Sequence, residues 1–156
     1  MRVNTQIRIE EARDALRYIR TLARLCGDMK NDALMKTIAS NPNTPSTVLR
    51  TIAFNTTNEE LLARLAANTS TPGEVIHALA KHESKEVRLA VANNQNASML
   101  SVRPLTFDES PTVRFTLAEN PFTDKYVLEK LSLDENPFVA NRAELTLEKK
   151  LTEEAH

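Results

Sequence analysis

The tripeptide Ala-x-Asn recurs through this 156-residue sequence at a nearly constant spacing. Four of its copies share this spacing, and their asparagines, which are 27, 26 and 26 residues apart, are Asn41, Asn68, Asn94 and Asn120. An apolar residue precedes each alanine and another lies four residues earlier, which is the spacing of one helix face. Residues of the same type therefore recur at several equivalent positions, or columns, with one period. This pattern predicts a repeat protein in which each unit packs against the next.

Two short helices are predicted in each unit. The first is preceded by residues that favour helix N-caps, namely Asn31, Asn58, Ser84 and Ser110. The second is predicted to begin with an N-cap threonine and a first-turn proline at Thr44-Pro45 and Thr71-Pro72, with Ser98 or Thr123 as the cap in the later units. Pro104 lies inside the second helix of the third unit, where it predicts a break or a tight 3₁₀ turn.

These patterns predict an all-α fold, an α-solenoid of about four and a half two-helix repeats. We expect a single domain over residues 1–156, with terminal units that cap the apolar ends of the stack. Its predicted parts are an N-terminal cap helix in 1–30, repeats at 31–57, 58–83, 84–109 and 110–135, and a C-terminal cap at 136–156. The asparagines are expected to be structural, because Asn tolerates turn conformations and bonds to neighbouring backbone.

Composition excludes several classes of site. The two glycines, Gly27 and Gly73, are too far apart for a phosphate-binding loop. Cys26 is the single cysteine, so neither an internal disulfide nor a multi-thiolate metal site is possible within the chain. The histidines do not have zinc-site spacing, and no apolar run approaches the roughly 18 residues that span a bilayer. We therefore predict a soluble cytoplasmic protein with no cofactor, no metal and no membrane partner.

The repeat resembles the leucine-rich repeat variant family. The resemblance is carried by Ala-Ser-Asn-Pro-Asn-Thr-Pro at 39–45, by Ala-Glu-Asn-Pro-Phe-Thr at 118–123, and by the pairs Val87-Arg88 and Val113-Arg114, which are also similar to HEAT-type repeats. It implies an α-helix alternating with a 3₁₀-like second helix in a right-handed superhelix. Some family members carry an iron–sulfur cluster on N-terminal cysteines, and that feature is not carried over because Cys26 is alone.

Charge is polarised along the chain although the formal net charge is only -1. Residues 1–30 carry seven basic and four acidic side chains, whereas residues 31–135 carry ten basic and 13 acidic ones. The N-terminal helix has four arginines on one face, at Arg13, Arg17, Arg20 and Arg24. Such a row suits phosphate or carboxylate recognition, and the alternative is a solvated face paired with nearby acids.

Aligned cationic columns supply the other candidate binding residues. One column holds Arg88 and Arg114, and another holds Arg50, His77 and Arg103 and is interrupted by Glu129. Aligned columns form extended surfaces in solenoids. The alternative is that Arg88 and Arg114 reach acidic residues in neighbouring units, such as Glu86 or Glu109.

The predicted function is a non-catalytic scaffold or adaptor that binds a protein or peptide partner, with no small-molecule substrate. One alternative is a nucleic-acid-binding module that uses the arginines, although scarce aromatics argue against base stacking. Another alternative is a hydrolase or glycosylase in a groove, for which the sequence has no local motif.

Overall fold

The computed structural model describes Arg17, Thr21 and residues 32–154 of the chain. The regular secondary structure of this part is helical and includes no strand, which confirms the all-α prediction there. The helices are α1 (Asp32–Ser40), α2 (Ser46–Phe54), α3 (Glu59–Ala67), α4 (Gly73–Leu79), α5 (Lys85–Ala92), α6 (Met99–Val102), the 3₁₀ helix Arg103–Phe107, α7 (Pro111–Glu119), α8 (Lys125–Leu131) and α9 (Pro137–Glu154). Most of the predicted N-terminal cap helix in 1–30 lies outside the described residues, as does the cap at Asn31, while Arg17 and Thr21 within it are helical.

The first helices of successive units pack against one another in chain order. Helix α1 contacts α3, α3 contacts α5, α5 contacts α7, and α7 contacts α9. The apolar columns of the sequence form the core between them, and its fully buried members include Leu65, Val91 and Leu117. Helices α1–α8 have at most nine residues each, too few to be stable alone in water. The arrangement is consistent with a helical repeat fold whose stability comes from packing between units.

The repeated asparagines connect each unit to the one before it. The side-chain amide of Asn94 donates to the Ala66 carbonyl at 2.6 Å, while its carbonyl oxygen accepts the Asn96 backbone N–H at 2.8 Å. Asn68 donates to the Ala39 carbonyl at 2.7 Å, and Asn120 donates to the Ala92 carbonyl at 2.9 Å. These amides satisfy carbonyls at the C-terminal ends of helices, which have no intrahelical partner. The predicted structural role is confirmed for these three asparagines, and the fourth, Asn41, makes the same turn bond by accepting the Asn43 N–H at 2.9 Å.

The threonines before the second helices differ from their predicted role. Thr44 and Thr71 are not N-caps, because Pro45 and Pro72 occupy that position and the helices begin one residue later. The Thr44 hydroxyl instead donates back to the Ile38 carbonyl at 2.7 Å, and Thr71 does the same to Leu65. The hydroxyl therefore closes the turn onto the end of the first helix.

Other predicted helix ends are confirmed or displaced by one residue. Asn58 caps α3, with its side chain accepting the Leu61 N–H at 3.0 Å. Ser84, Ser98 and Ser110 stand at N-cap positions without a side-chain capping bond. Helix α8 is capped by Asp124 rather than by Thr123.

The two irregular parts of the repeat also have clear causes. Helix α6 ends at Val102 and gives way to a 3₁₀ helix around Pro104, as predicted. Helix α9 continues through the column where the other units turn, because Thr146 replaces the asparagine and donates to the Arg142 carbonyl within the same helix. None of the helices in the described part has the length and apolar character needed to cross a membrane.

Replacing Asn94 by alanine should lower the free energy of unfolding by about 1–3 kcal/mol, because the buried Ala66 carbonyl loses its partner. Urea unfolding followed by circular dichroism measures the change. The control is Asn93→Ala at the neighbouring exposed residue, which should change stability by less than about 0.5 kcal/mol. Equal effects of the two substitutions would contradict the proposed role of the asparagine amides.

Candidate functional site

Arg88 and Arg114, predicted to line a binding surface, are buried in ion pairs. The Arg88 guanidinium donates to both carboxylate oxygens of Asp108, at 2.7 and 3.1 Å, and also to the His82 and Glu83 carbonyls. Arg114 repeats the arrangement one unit later, with Asp134 at 2.7 and 3.0 Å. It also donates to the Asp108 carbonyl at 2.7 Å, so the two pairs are joined in one series.

The aspartates of these pairs also hold the turns between units. Asp108 accepts the Ser110 N–H at 2.9 Å, and Asp134 accepts the Asn136 N–H at the same distance. The hydrogen bond with Asp134 raises the pKa of Arg114 above its ordinary value. Burial by itself would raise the pKa of Asp134, but the hydrogen bonds from Arg114 and from the Asn136 backbone outweigh it, and the pKa is lowered.

This geometry favours the structural alternative for both arginines. Glu109 is a partner of Arg88 at 3.1 Å, as that alternative named, but Asp108 is the main partner and Glu86 pairs with Lys85 instead. Both guanidinium groups donate to carboxylates and carbonyls of the chain itself, and a binding role for Arg88 and Arg114 stays a prediction.

The second predicted column does not form a continuous basic row. Arg50 is exposed and pairs with Glu74 on the next second helix. His77 is half-buried, and its Nδ1 atom is buried without a hydrogen-bond partner. Arg103 is exposed, with its guanidinium 5.9 Å from the centre of the Tyr126 ring. Arg17 is helical and exposed, while Arg13, Arg20 and Arg24 lie outside the described residues. A binding role for these residues stays a prediction.

Most aromatic side chains of the described residues lie on the surface rather than in the core. The buried hydrophobic residues of the described part are all Leu, Val, Ile, Met or Ala. Four of the five phenylalanines are largely exposed, the fifth is half-buried, and Tyr126 is exposed. Phenylalanine is ordinarily among the most buried residues, and exposed aromatic residues are typical of interfaces.

Five exposed residues of the third and fourth units form what we call the second-helix patch: Arg103, Phe107, Tyr126, Lys130 and Leu133. Arg103 and Lys130 both lie over the Tyr126 ring, at 5.9 and 5.5 Å from its centre. Phe107 and Leu133 are 79% and 81% exposed. They line a groove of about 340 Å³ with Lys130, and the Arg114–Asp134 pair also lines it.

Thr106 adds an unsatisfied polar group beside the patch. Its side chain lines the same groove, and its hydroxyl is buried with no hydrogen-bond partner. A buried hydroxyl without a partner is unfavourable by itself. The groove therefore combines two exposed apolar side chains, the Lys130 ammonium, the Glu135 carboxylate and a hydroxyl without a hydrogen-bond partner.

Sequence reasoning missed Phe107 and Leu133 because it treated the turns between units as polar. A signal was present in the column before Asn55, His82, Asp108 and Asp134, which holds Phe54, Lys81, Phe107 and Leu133. Three of these four residues are large and apolar, yet the column lies outside the apolar stripe of the second helix. A column of this kind indicates side chains on the surface.

Residues 33–96 match the family model of the Leucine Rich Repeat Variant domain. The resemblance inferred from the repeat motif is confirmed over this range, which covers α1 to α5 and the turn that follows. No curated protein and no solved structure shows significant similarity to the chain.

Replacing Asp134 by asparagine should lower the free energy of unfolding at neutral pH by about 2 kcal/mol, because two charge-assisted hydrogen bonds are weakened. The folded-state pKa of Asp134 is lowered, so its contribution is complete above its unfolded value of about 4 and is lost as pH falls through the folded value. The difference between wild type and variant should therefore shrink below about pH 4. Urea unfolding at a series of pH values measures it.

The control for this experiment is Glu135→Gln. Glu135 lies 3.5 Å from the same guanidinium, but its side chain is 90% exposed. Exposed ion pairs contribute little, so the change should stay below about 1 kcal/mol. An equal loss in both variants, or a difference for Asp134→Asn that persists unchanged at pH 2, would contradict the role assigned to Asp134.

Proposed function

We propose that this chain, whose residues 33–96 match the Leucine Rich Repeat Variant domain, is a non-catalytic interaction module that binds a protein partner through its second-helix patch. The observation that carries the proposal is the clustering of exposed Phe107, Leu133 and Tyr126 with Arg103 and Lys130. The repeat-family match supports binding rather than catalysis, because repeat domains of this type mediate interactions through their surfaces.

The residue types of the patch suit the centre of a protein interface. Arginine, tyrosine and other aromatic residues contribute most of the binding energy in measured interfaces. Removing the side chains of Phe107 and Leu133 from water is favourable by about 25 cal/mol per Å² of apolar surface. The two cations beside Tyr126 add charge at the rim, where it guides association more than it adds affinity.

The elements beneath the patch are rigid enough to present it in one conformation. Leu105 in the 3₁₀ helix and Leu128 and Leu131 in α8 are almost completely buried. These anchors fix the backbone from which the exposed side chains project. A preorganised surface lowers the ordering cost of association.

We further infer the right-handed superhelix of about four and a half repeats that the family resemblance implies, and a cytoplasmic location. The successive packing of first helices from α1 to α9 supports the repeat arrangement. The lone cysteine supports a reducing compartment.

Nucleic-acid binding has less support from the described residues. Arg88 and Arg114, which were expected to extend the arginine row, are neutralised by Asp108 and Asp134. A salt titration separates the two functions, because binding through phosphates weakens steeply with salt, whereas binding through apolar groups does not.

The double substitution Phe107→Ser with Leu133→Ser should abolish partner binding without unfolding the chain, since both side chains are exposed. Wild type and variant, each immobilised, are compared by quantitative mass spectrometry of proteins retained from native cell extract. We expect at least one protein to be retained by wild type and depleted about tenfold by the variant, which corresponds to roughly 1.4 kcal/mol.

The matched control is Leu145→Ser with Leu151→Ser, two exposed leucines on α9. The partner should remain bound to this control and to wild type at raised salt. If no protein distinguishes the patch variant from the control, the patch is not the binding surface. If binding disappears with salt in every form, the interaction is electrostatic and the proposal is wrong.

A further inference from the structure

A second groove, of about 450 Å³, lies where the turn within the third unit meets the corresponding turn of the fourth. We call it the Phe122 groove, and its lining includes Ala97, Met99, Phe122, Thr123, Lys125 and Lys150. Phe122 is 62% exposed and Met99 is also exposed. These residues are separate from the second-helix patch, so the inference below stands apart from the proposed function.

The groove lies at a point where the hydrogen bonds between successive turns are interrupted. In the second and third units, the residue two positions after the repeated asparagine donates a side-chain hydrogen bond to the turn of the preceding unit. Ser70 donates to the Pro42 carbonyl at 2.6 Å, and Asn96 donates to the Thr69 carbonyl at 2.9 Å. Phe122 holds this position in the fourth unit and has no side-chain donor, so the equivalent bond cannot form.

A second departure from the repeat lies in the same groove. The residue three positions after the asparagine is a buried threonine in the first, second and fourth units, at Thr44, Thr71 and Thr123. Each of these hydroxyls bonds to the last turn of its first helix. The third unit has Ala97 instead, which has no hydroxyl and leaves more space.

Neither departure stabilises the chain by itself. The phenyl ring of Phe122 remains in water, and two hydrogen bonds that other units make are missing. Apolar surface that stays exposed adds nothing to the stability of the fold, and the missing hydrogen bonds remove a contribution that other units have. Covering the phenyl ring with a bound apolar group would be favourable.

The charges lining the groove indicate the chemistry of its ligand. The Lys150 ammonium is held at the Pro121 carbonyl at 2.6 Å, and Lys125 supplies a second positive charge. Asp124 is the one carboxylate among the lining residues, and it accepts the Tyr126 N–H at 2.9 Å as the cap of α8. An ammonium has three donors, so the carbonyl bond of Lys150 leaves donors for a carboxylate.

We propose that the Phe122 groove binds an acidic peptide segment of another protein. One large apolar side chain of the segment lies against Met99 and Phe122, and an adjacent carboxylate binds Lys150. Methionine and phenylalanine adapt to apolar side chains of different shapes, so specificity comes mainly from the neighbouring carboxylate.

Methionine-methyl NMR of the full chain tests the proposal. The probe is a pool of acetylated hexapeptides, each with one Leu, Met, Phe or Trp flanked by glutamates, and the comparison pool has lysines in place of the glutamates. The acidic pool should shift the Met99 methyl resonance, while the resonance of Met35, buried in the first unit, should stay in place. The lysine pool should leave both resonances unchanged.

Substitutions then connect the shift to the groove. Phe122→Ser restores the residue type found at Ser70, so it should fold normally and weaken the acidic peptides at least tenfold. Lys150→Gln should weaken them several-fold, and Phe138→Ser, a change at an exposed phenylalanine on α9, should have no effect.

Three results would overturn the proposal: no Met99 shift with the acidic pool at millimolar concentration, equal shifts with the lysine pool, or undiminished binding by folded Phe122→Ser. Because the assay uses no residue of the second-helix patch, its failure would leave the proposed function standing. Unchanged retention of proteins by the patch variant, which would contradict the proposed function, would likewise leave this inference untouched.

Discussion

The hydrogen bonds from buried asparagines to the preceding unit are the interaction on which the rest of the structure depends. Helices of seven to nine residues contribute few internal hydrogen bonds for the backbone entropy that they lose, and each leaves its last carbonyls without partners. An asparagine amide satisfies such a carbonyl in the neighbouring unit, while its own carbonyl oxygen closes the turn that it begins. Helix termination and unit stacking are thus fixed by one side chain.

Ion pairs between arginine and aspartate form a second set of contacts between the later units. They lie at the turns that connect one unit to the next, rather than at the turns within a unit. The repeat positions of this ion pair are occupied by Leu62 and His82 in the second unit and by Arg88 and Asp108 in the third. The bidentate geometry positions each inter-unit turn, since the aspartate binds both the arginine and the backbone of its own turn. Arginine in a repeated column is therefore a structural element here, although the same pattern would suit a ligand.

Periodicity predicted what is local or repeated, and the structure confirms it at the apolar columns, at the asparagines and at the break around Pro104. It could not predict pairs such as Arg114 with Asp134, because they are twenty residues apart and depend on how two units meet. It also misjudged Thr44, since a hydroxyl beside a proline serves equally as a cap or as a bond back to the preceding helix. The exposure of Phe107 was missed because the residue ends the 3₁₀ helix, outside the apolar stripe on which the prediction rested.

Positions where one unit differs from the others are better indicators of a binding surface than positions that recur in every unit, because packing between units accounts for the recurring residues. The match to the Leucine Rich Repeat Variant domain ends at residue 96, and Ala97 begins the departures. Phe107 and Phe122 follow in the third and fourth units, and each places a largely exposed phenyl ring on the surface. No aromatic residue of the described part is fully buried, and a bound partner would cover these phenyl rings. The third and fourth units are therefore where a partner is expected, with the earlier units serving as the base from which they are presented.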